Sequence, residues 1–217
     1  MGCGPGSLIH PLAPLFADAV GIDADRHMVR EAERNAAPNE RFVCMRAEEL
    51  PADLGLFDVV AFAQSFHWLE QQPVAATVRA MLTRNGAVVY VGATTHMGDG
   101  DVPRAEIDEL VRAYLGPVRR AWRGALPDGT PWNEAEVFTA AGFHGPTRVE
   151  IAADQVYERT DDDVVASVFS MSYAAPHLFG DRLGEFEGDL RLLLRRASTS
   201  GRFTERLRPM TLRIWRI

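Results

Sequence analysis

The chain opens on Met1-Gly2-Cys3-Gly4-Pro5-Gly6, a glycine loop with no strand written ahead of it. A G-x-G-x-G turn ordinarily leaves a buried β-strand and enters a helix. The strand carries the backbone up to a ligand, and the glycines let the ligand approach where a Cβ would stand. Such a loop points to a nucleotide-type cofactor. In an open α/β sheet the strand before the loop lies centrally, between the strands ending at Asp23 and Ala63. Its loss would leave buried ladder groups unpaired. The expectation is a sheet whose first strand is absent upstream of residue 2, through a misplaced start or a truncation, with Met1 standing for that strand's last residue.

The segments that follow alternate in period. Leu8, Leu12, Leu15 and Phe16 recur at helical spacing, and Pro11 and Pro14 keep that helix short. Ala19–Asp23 is an apolar run ending in an acid, Phe42–Met45 is a second and Phe57–Ala63 a third. Helices are predicted from Asp25 to Asn35 and from Glu70 to Leu82, and Asn85-Gly86 turns into a strand over 87–91. Strands alternating with helices imply an α/β, Rossmann-like, mostly parallel doubly wound sheet. Beyond it the predicted elements are helices at 105–123, 133–141, 160–173 and 181–198, a strand at 148–157, and a last strand at 211–215. That last strand is antiparallel, at or near the edge. No domain boundary stands out, so one domain over 1–217 is expected. Its cofactor-binding half is 1–95, and 96–217 supplies helical lid elements and the end of the sheet.

Composition removes several function classes. A net charge of −7 argues against a nucleic-acid platform, which needs a basic face. Cys3 and Cys44 are the two cysteines, too few for a disulfide framework, and they fit a reducing cytoplasm. No apolar run is long enough to span a bilayer, so no membrane partner is expected. The six histidines are scattered and show no metal-ligand spacing. Oligomeric state is not legible.

The glycine loop gains meaning from its neighbours. Asp23 follows Gly4 by nineteen residues, at the end of the next strand. An acid near that spacing accepts hydrogen bonds from a ribose; the plain alternative is a cap on the following helix. The dinucleotide pattern G-x-G-x-x-G would place its third glycine at Ser7, which disfavours a nicotinamide-dependent oxidoreductase. No Lys-Ser/Thr pair follows, so the loop is not a P-loop.

Gly2-Cys3-Gly4-Pro5-Gly6, Val20-Gly21-Ile22-Asp23, Arg46-Ala47-Glu48-Glu49-Leu50-Pro51 and Gln64-Ser65-Phe66-His67-Trp68 together resemble the motifs of class I S-adenosylmethionine-dependent methyltransferases. The F-H-W ending resembles the methyltransferase type 11, trans-aconitate methyltransferase-like branch. The likeness covers about residues 2–95; Arg46 departs from it where the family often has Asp, and Asn85-Gly86-Ala87 lacks the usual proline. Ser170–Tyr173 resembles the same branch less specifically.

The resemblance implies S-adenosyl-L-methionine as cofactor. It places the cofactor on Gly2, Cys3, Gly4 and Gly6 of the loop and on Asp23 for the ribose. Ala24 and Met28 then lie beside the adenosine, Ala47 and Glu48 at the adenine edge, and Gln64, Ser65 and His67 at the methyl end. The implied activity is methyl transfer to a small-molecule acceptor. Carboxylate and hydroxyl acceptors fit, and amine and carbon nucleophiles stay open. His67 is the candidate general base, needed only if the acceptor arrives protonated; otherwise His67 and Trp68 shape the pocket wall. A fold retained without turnover, as a ligand-binding module or relic, is the alternative. Trp122, Trp132 and Tyr173 are candidates for an aromatic pocket, and Arg159 for a substrate carboxylate. Asp58 reads as structural and Cys3 as a small space-filler.

Overall fold

A computed structural model describes residues 1–51, 53–92, 99–121, 124–126, 134–153 and 155–217. In chain order the elements are α1 (Ile9–Leu12), β1 (Ala19–Asp23), α2 (Arg26–Glu33), β2 (Glu40–Cys44), β3 (Phe57–Ala63), α3 (Gln71–Ala80) and β4 (Leu82–Gly92). They continue with β5 (Asp99–Gly100), α4 (Arg104–Leu115), β6 (Arg119–Ala121), β7 (Gly124–Leu126), α5 (Glu134–Ala140) and β8 (His144–Ile151). The chain closes with β9 (Val156–Thr160), α6 (Asp161–Phe169), α7 (Leu183–Ala197), β10 (Arg202–Arg206) and β11 (Met210–Arg216). It divides into two compact units that interleave in sequence. One is Met1–Gly92 with Pro131–Glu150 and Thr211–Ile217; the other is Ala93–Thr130 with Ile151–Met210. The expected halves, 1–95 and 96–217, therefore exchange segments: 131–150 and 211–217 belong with the glycine loop.

The first unit is Rossmann-like α/β. β1 and β2 pair in parallel, with Asp23 opposite Cys44. β3 and β4 also pair in parallel, and β11 runs antiparallel along β4 with Ile214 opposite Val89. The strand order is β3-β4-β11-β8, so β11 is antiparallel as expected but β8 lies outside it at the edge. Asn85-Gly86 falls inside an irregular stretch of β4: Phe57 faces Leu82, and Val59 next faces Ala87. The expected turn is thus a register shift inside a longer strand. α1 is a single turn continued by a short 3-10 turn at Ala13–Leu15, as its two prolines require.

An aromatic cluster holds the sheet to α5. Phe138 is fully buried, stacks on Phe66 at 4.7 Å between ring centroids, and lies 4.7 Å from Trp215 and 5.6 Å from Phe143. Phe62 contacts Phe66 edge-on at 4.8 Å. Arg213 of β11 pairs with the buried Glu134 at the start of α5 and lies over the Tyr90 ring. Phe62 and Phe66 flank Gln64 and Ser65, so this cluster fixes the end of β3 from which those residues emerge.

In the second unit β10 lies between β5 and β9, antiparallel to both. β10 is absent from the sequence reading because Arg202-Phe203-Thr204-Glu205-Arg206 offers one apolar residue and four polar ones. Glu205, 1% exposed, accepts from Arg104 and, at 2.7 Å, from Arg159 Nε. Arg159 thus has a carboxylate partner inside its own unit. α4 stops at Leu115 rather than Arg123, because Gly116-Pro117 disfavours helical backbone. The predicted strand at 148–157 is two strands, β8 and β9, in different sheets. Thr160 caps α6 as its sequence promised: Thr160 Oγ1 accepts from the Asp163 amide, and Asp163 Oδ2 accepts from the Thr160 amide at 2.9 Å. Tyr173 packs against the second unit's core, its hydroxyl 3.3 Å from Asp108 Oδ1. Trp122 and Trp132 lie outside the described residues.

Replacing the stacked ring tests the aromatic cluster. Phe138→Ala should cost about 3–5 kcal/mol of unfolding free energy, the range for emptying a buried aromatic site. Urea denaturation with unchanged slope is the check.

Candidate cofactor-binding site

Residues 1–3 run between two sheets, β1-β2 and β3-β4-β11-β8, that share no strand pairing among the described residues. The Met1 nitrogen donates to Ala61 O of β3 at 2.7 Å, and the Cys3 amide donates to Ile22 O of β1 at 2.9 Å. Ser65 Oγ, just beyond β3, donates to Met1 O at 2.7 Å. Gly2 sits so close to Ser65 that a Cβ would lie 2.5 Å from Ser65 Cβ. Only glycine permits that approach. The loop then folds on itself: the Gly6 amide donates to Cys3 O at 3.1 Å, and Gly6 O accepts from the His10 amide at 3.0 Å, which starts α1.

Asp23 organises the other wall. Its Oδ2 accepts from the Gly4 amide at 2.8 Å, and its Oδ1 accepts from the Asp25 amide at 2.9 Å. The capping alternative is therefore divided between two acids: Asp25 accepts from the His27 amide at the start of α2, while Asp23 ties that turn to the glycine loop. A carboxylate offers about four acceptor positions, so these two bonds leave capacity for a diol. Gly4 has φ +54°, and a Cβ there would meet nothing within 4 Å. The loop is thus open at Gly4, beside the Asp23 carboxylate.

Ala24 and Met28 are partly buried just past β1. After β2, Ala47 is buried and Glu48 is held by protein groups: Oε1 accepts from the Glu70 amide at 3.0 Å, Oε2 from Arg46 Nε at 3.2 Å. Burial pushes the Glu48 carboxyl up, but these donors outweigh it and hold it below the usual carboxylate range. Glu48 fastens the segment after β2 to the start of α3, a role its sequence motif did not disclose. Arg46, the departure from the family pattern, serves the same junction and also lies 3.8 Å from Glu70.

The end of β3 brings Gln64, Ser65 and His67 together. Gln64 has φ +54°, in the left-handed region that non-glycine residues seldom occupy. Strain of this kind concentrates where a site needs one side chain aimed against local preference. Ser65 is buried, and His67 is half-buried in the short turn Phe66–Trp68 with its ring 5.1 Å from Trp68. Asp58, at the opposite end of β3, accepts from Thr83 Oγ1 at 2.8 Å, which fits its structural reading.

One pair escaped the sequence reading. His10 Nδ1 lies 2.8 Å from Glu40 Oε2, and that oxygen also accepts from the Ala37 amide. The pair joins α1 to β2 across thirty residues, and no spacing signal marks it. Among the described residues no cluster of His, Cys, Asp or Glu is arranged for a metal, and no helix is long and apolar enough to cross a membrane.

Cys3 packs against Gly21, a Cβ on which would lie 3.0 Å from its sulfur. Burial, and then the nearby Asp23 carboxylate, push its thiol up to about 11. At pH 8 such a thiol is about one-thousandth thiolate, whereas an ordinary one is roughly a quarter thiolate. Cys44 is exposed. Iodoacetamide at pH 8 should therefore modify Cys44 at least about a hundredfold faster than Cys3. Peptide mapping by mass spectrometry reads the ratio, and equal rates would refute the buried-thiol reading.

Comparison with known proteins places this geometry. Residues 1–86 match the family model described as a methyltransferase domain. An uncharacterized methyltransferase of Mycobacterium tuberculosis, Rv3342, is 30% identical over 128 residues, which is 59% of this chain and 51% of that protein. The chain spans about half the length of the curated relatives it matches. A protein of Anaeromyxobacter dehalogenans assigned as a type II methyltransferase superposes with a TM-score of 0.50 at 22% identity, covering 99% of this chain and 86% of that one. YcgJ of Bacillus subtilis gives 0.52 at 17% identity, covering 99% and 88%. The [4+2]-cyclase SpnF gives 0.51 at 14% identity, covering 99% and 72%. The chain has the Rossmann-like fold of these proteins, and its first 86 residues match a methyltransferase domain.

Proposed function

We propose that this chain binds S-adenosyl-L-methionine on its glycine loop and transfers the methyl group to a small-molecule acceptor. One observation carries the reading: the Gly4 amide is fixed on the Asp23 carboxylate at 2.8 Å while the space over Gly4 stays open. That arrangement suits a cofactor whose ribose diol meets Asp23 and whose chain passes over the glycines. Partly buried Met28 and buried Ala47 supply apolar surface for an adenine. The match of residues 1–86 to a methyltransferase domain favours this cofactor over a nicotinamide. The Phe66-His67-Trp68 turn supports the trans-aconitate-like branch.

The bound cofactor supplies a sulfonium methyl group that is electrophilic without further activation. The protein's task is to orient, and positioning alone can supply several kcal/mol of the barrier reduction. Asp23 orients the ribose end. Gln64 and Ser65, held by the strained turn and by the bond to Met1, form the wall at the opposite end of the loop. His67 extends that wall. It takes a proton only from an acceptor that arrives protonated; for an ionised carboxylate it shapes the pocket.

Titration calorimetry with S-adenosylhomocysteine tests the reading. The chain should bind it, and Asp23→Asn should weaken binding about 10- to 100-fold, the equivalent of losing a hydrogen bond to a charged group. NAD should not compete. A chain that binds S-adenosylhomocysteine but methylates nothing in an acceptor panel is the non-catalytic form of the fold. A folded chain that binds neither ligand refutes the proposal.

A further inference from the structure

β8 ends the strand order of the larger sheet, and no strand lies along its outer edge among the described residues. Thr147, Arg148, Val149, Glu150 and Ile151 are all exposed, Val149 at 42% and Ile151 at 47%. An edge with exposed apolar side chains is a template for another strand. Side chains alternate along it, so Thr147, Val149 and Ile151 share one face and Arg148 and Glu150 the other.

We propose that two copies of this chain associate through β8, antiparallel, about a two-fold axis at Val149. In a two-fold antiparallel pair one residue must face its own copy, because the axis passes through a directly opposed pair. Three centres are available near the middle of the exposed stretch. Centred on Arg148, the two guanidinium groups face each other and Glu150 meets Pro146. Centred on Glu150, the two carboxylates face each other. Centred on Val149, Arg148 faces Glu150 twice, Val149 faces Val149, and Thr147 faces Ile151. Like charges directly opposite destabilise a pair and unlike charges stabilise it, so sequence alone selects this register. The same register pairs Thr147 through Ile151 and leaves Pro146, which has no N–H, outside the ladder. The two apolar residues gain cover on one face, and two ion pairs form on the other. The occupant of the edge is a second copy because the segment Thr147–Ile151 is complementary to itself.

Sedimentation velocity over a concentration series is the test, independent of any cofactor. The chain, 24.0 kDa, should show a reversible species of twice its mass. Arg148→Glu sets Glu opposite Glu and should raise the dissociation constant about tenfold or more. Glu150→Arg sets Arg opposite Arg and should do the same. The double variant Arg148→Glu/Glu150→Arg restores unlike pairs and should return the constant to within about threefold of the parent. Both charged positions are exposed, and circular dichroism confirms that each variant is folded. A parent that stays monomeric to about 1 mM overturns the proposal. So does a dimer that neither single variant weakens, or a double variant that fails to recover.

Discussion

The site depends on hydrogen bonds made by two residues, Met1 and Cys3. Met1 bonds to β3 and Cys3 to β1, so the glycine loop starts from a fixed point between two parallel pairs that are not paired with each other among the described residues. Each such bond contributes only about 1 kcal/mol net, but leaving its buried partner unmet costs more. The position of Gly4, and through it the Gly4–Asp23 contact, follows from this anchoring. Ser65 adds a third tie from the end of β3. The loop's first three residues thus link the wall carrying Asp23 with the wall carrying Gln64 and His67.

Behind those walls stand two kinds of support. The Phe62, Phe66, Phe138 and Trp215 cluster sets the end of β3 by packing. Glu48 sets the segment after β2 by accepting from Glu70 and Arg46. The first is tolerant of chemistry and sensitive to volume; the second is the reverse. The loop offers a floor of glycine backbone between walls whose orientation is set by contacts farther out.

Much of this was legible in the residues. β3 appears at Phe57–Ala63 because seven nearly continuous apolar positions admit little else, and β1 at Ala19–Asp23 for the same reason. The spacing of Asp23 from Gly4 singled out two residues that the fold joins by a hydrogen bond, and the Thr160–Asp163 cap was legible by its chemistry. What was not legible required three dimensions. The His10–Glu40 pair closes over thirty residues, the left-handed Gln64 belongs to a residue type that seldom adopts it, and β10 is held mainly by its neighbours β5 and β9. The last strand of the sheet was legible in the alternation over 211–215, but the interleaving of two units was hidden because nothing in the composition of Pro131–Glu150 sets it apart from the segments on either side of it in sequence.

Fold likeness extends here to a cyclase as well as to proteins assigned as methyltransferases, so the glycine loop bears the weight of the functional reading. The most direct test follows the amide resonances of a 15N-glycine-labelled chain while S-adenosylhomocysteine is added. The account predicts that Gly2, Gly4 and Gly6 shift together and saturate, with Gly4 moving most. Resonances of the loop that stay fixed while the ligand binds elsewhere would contradict it.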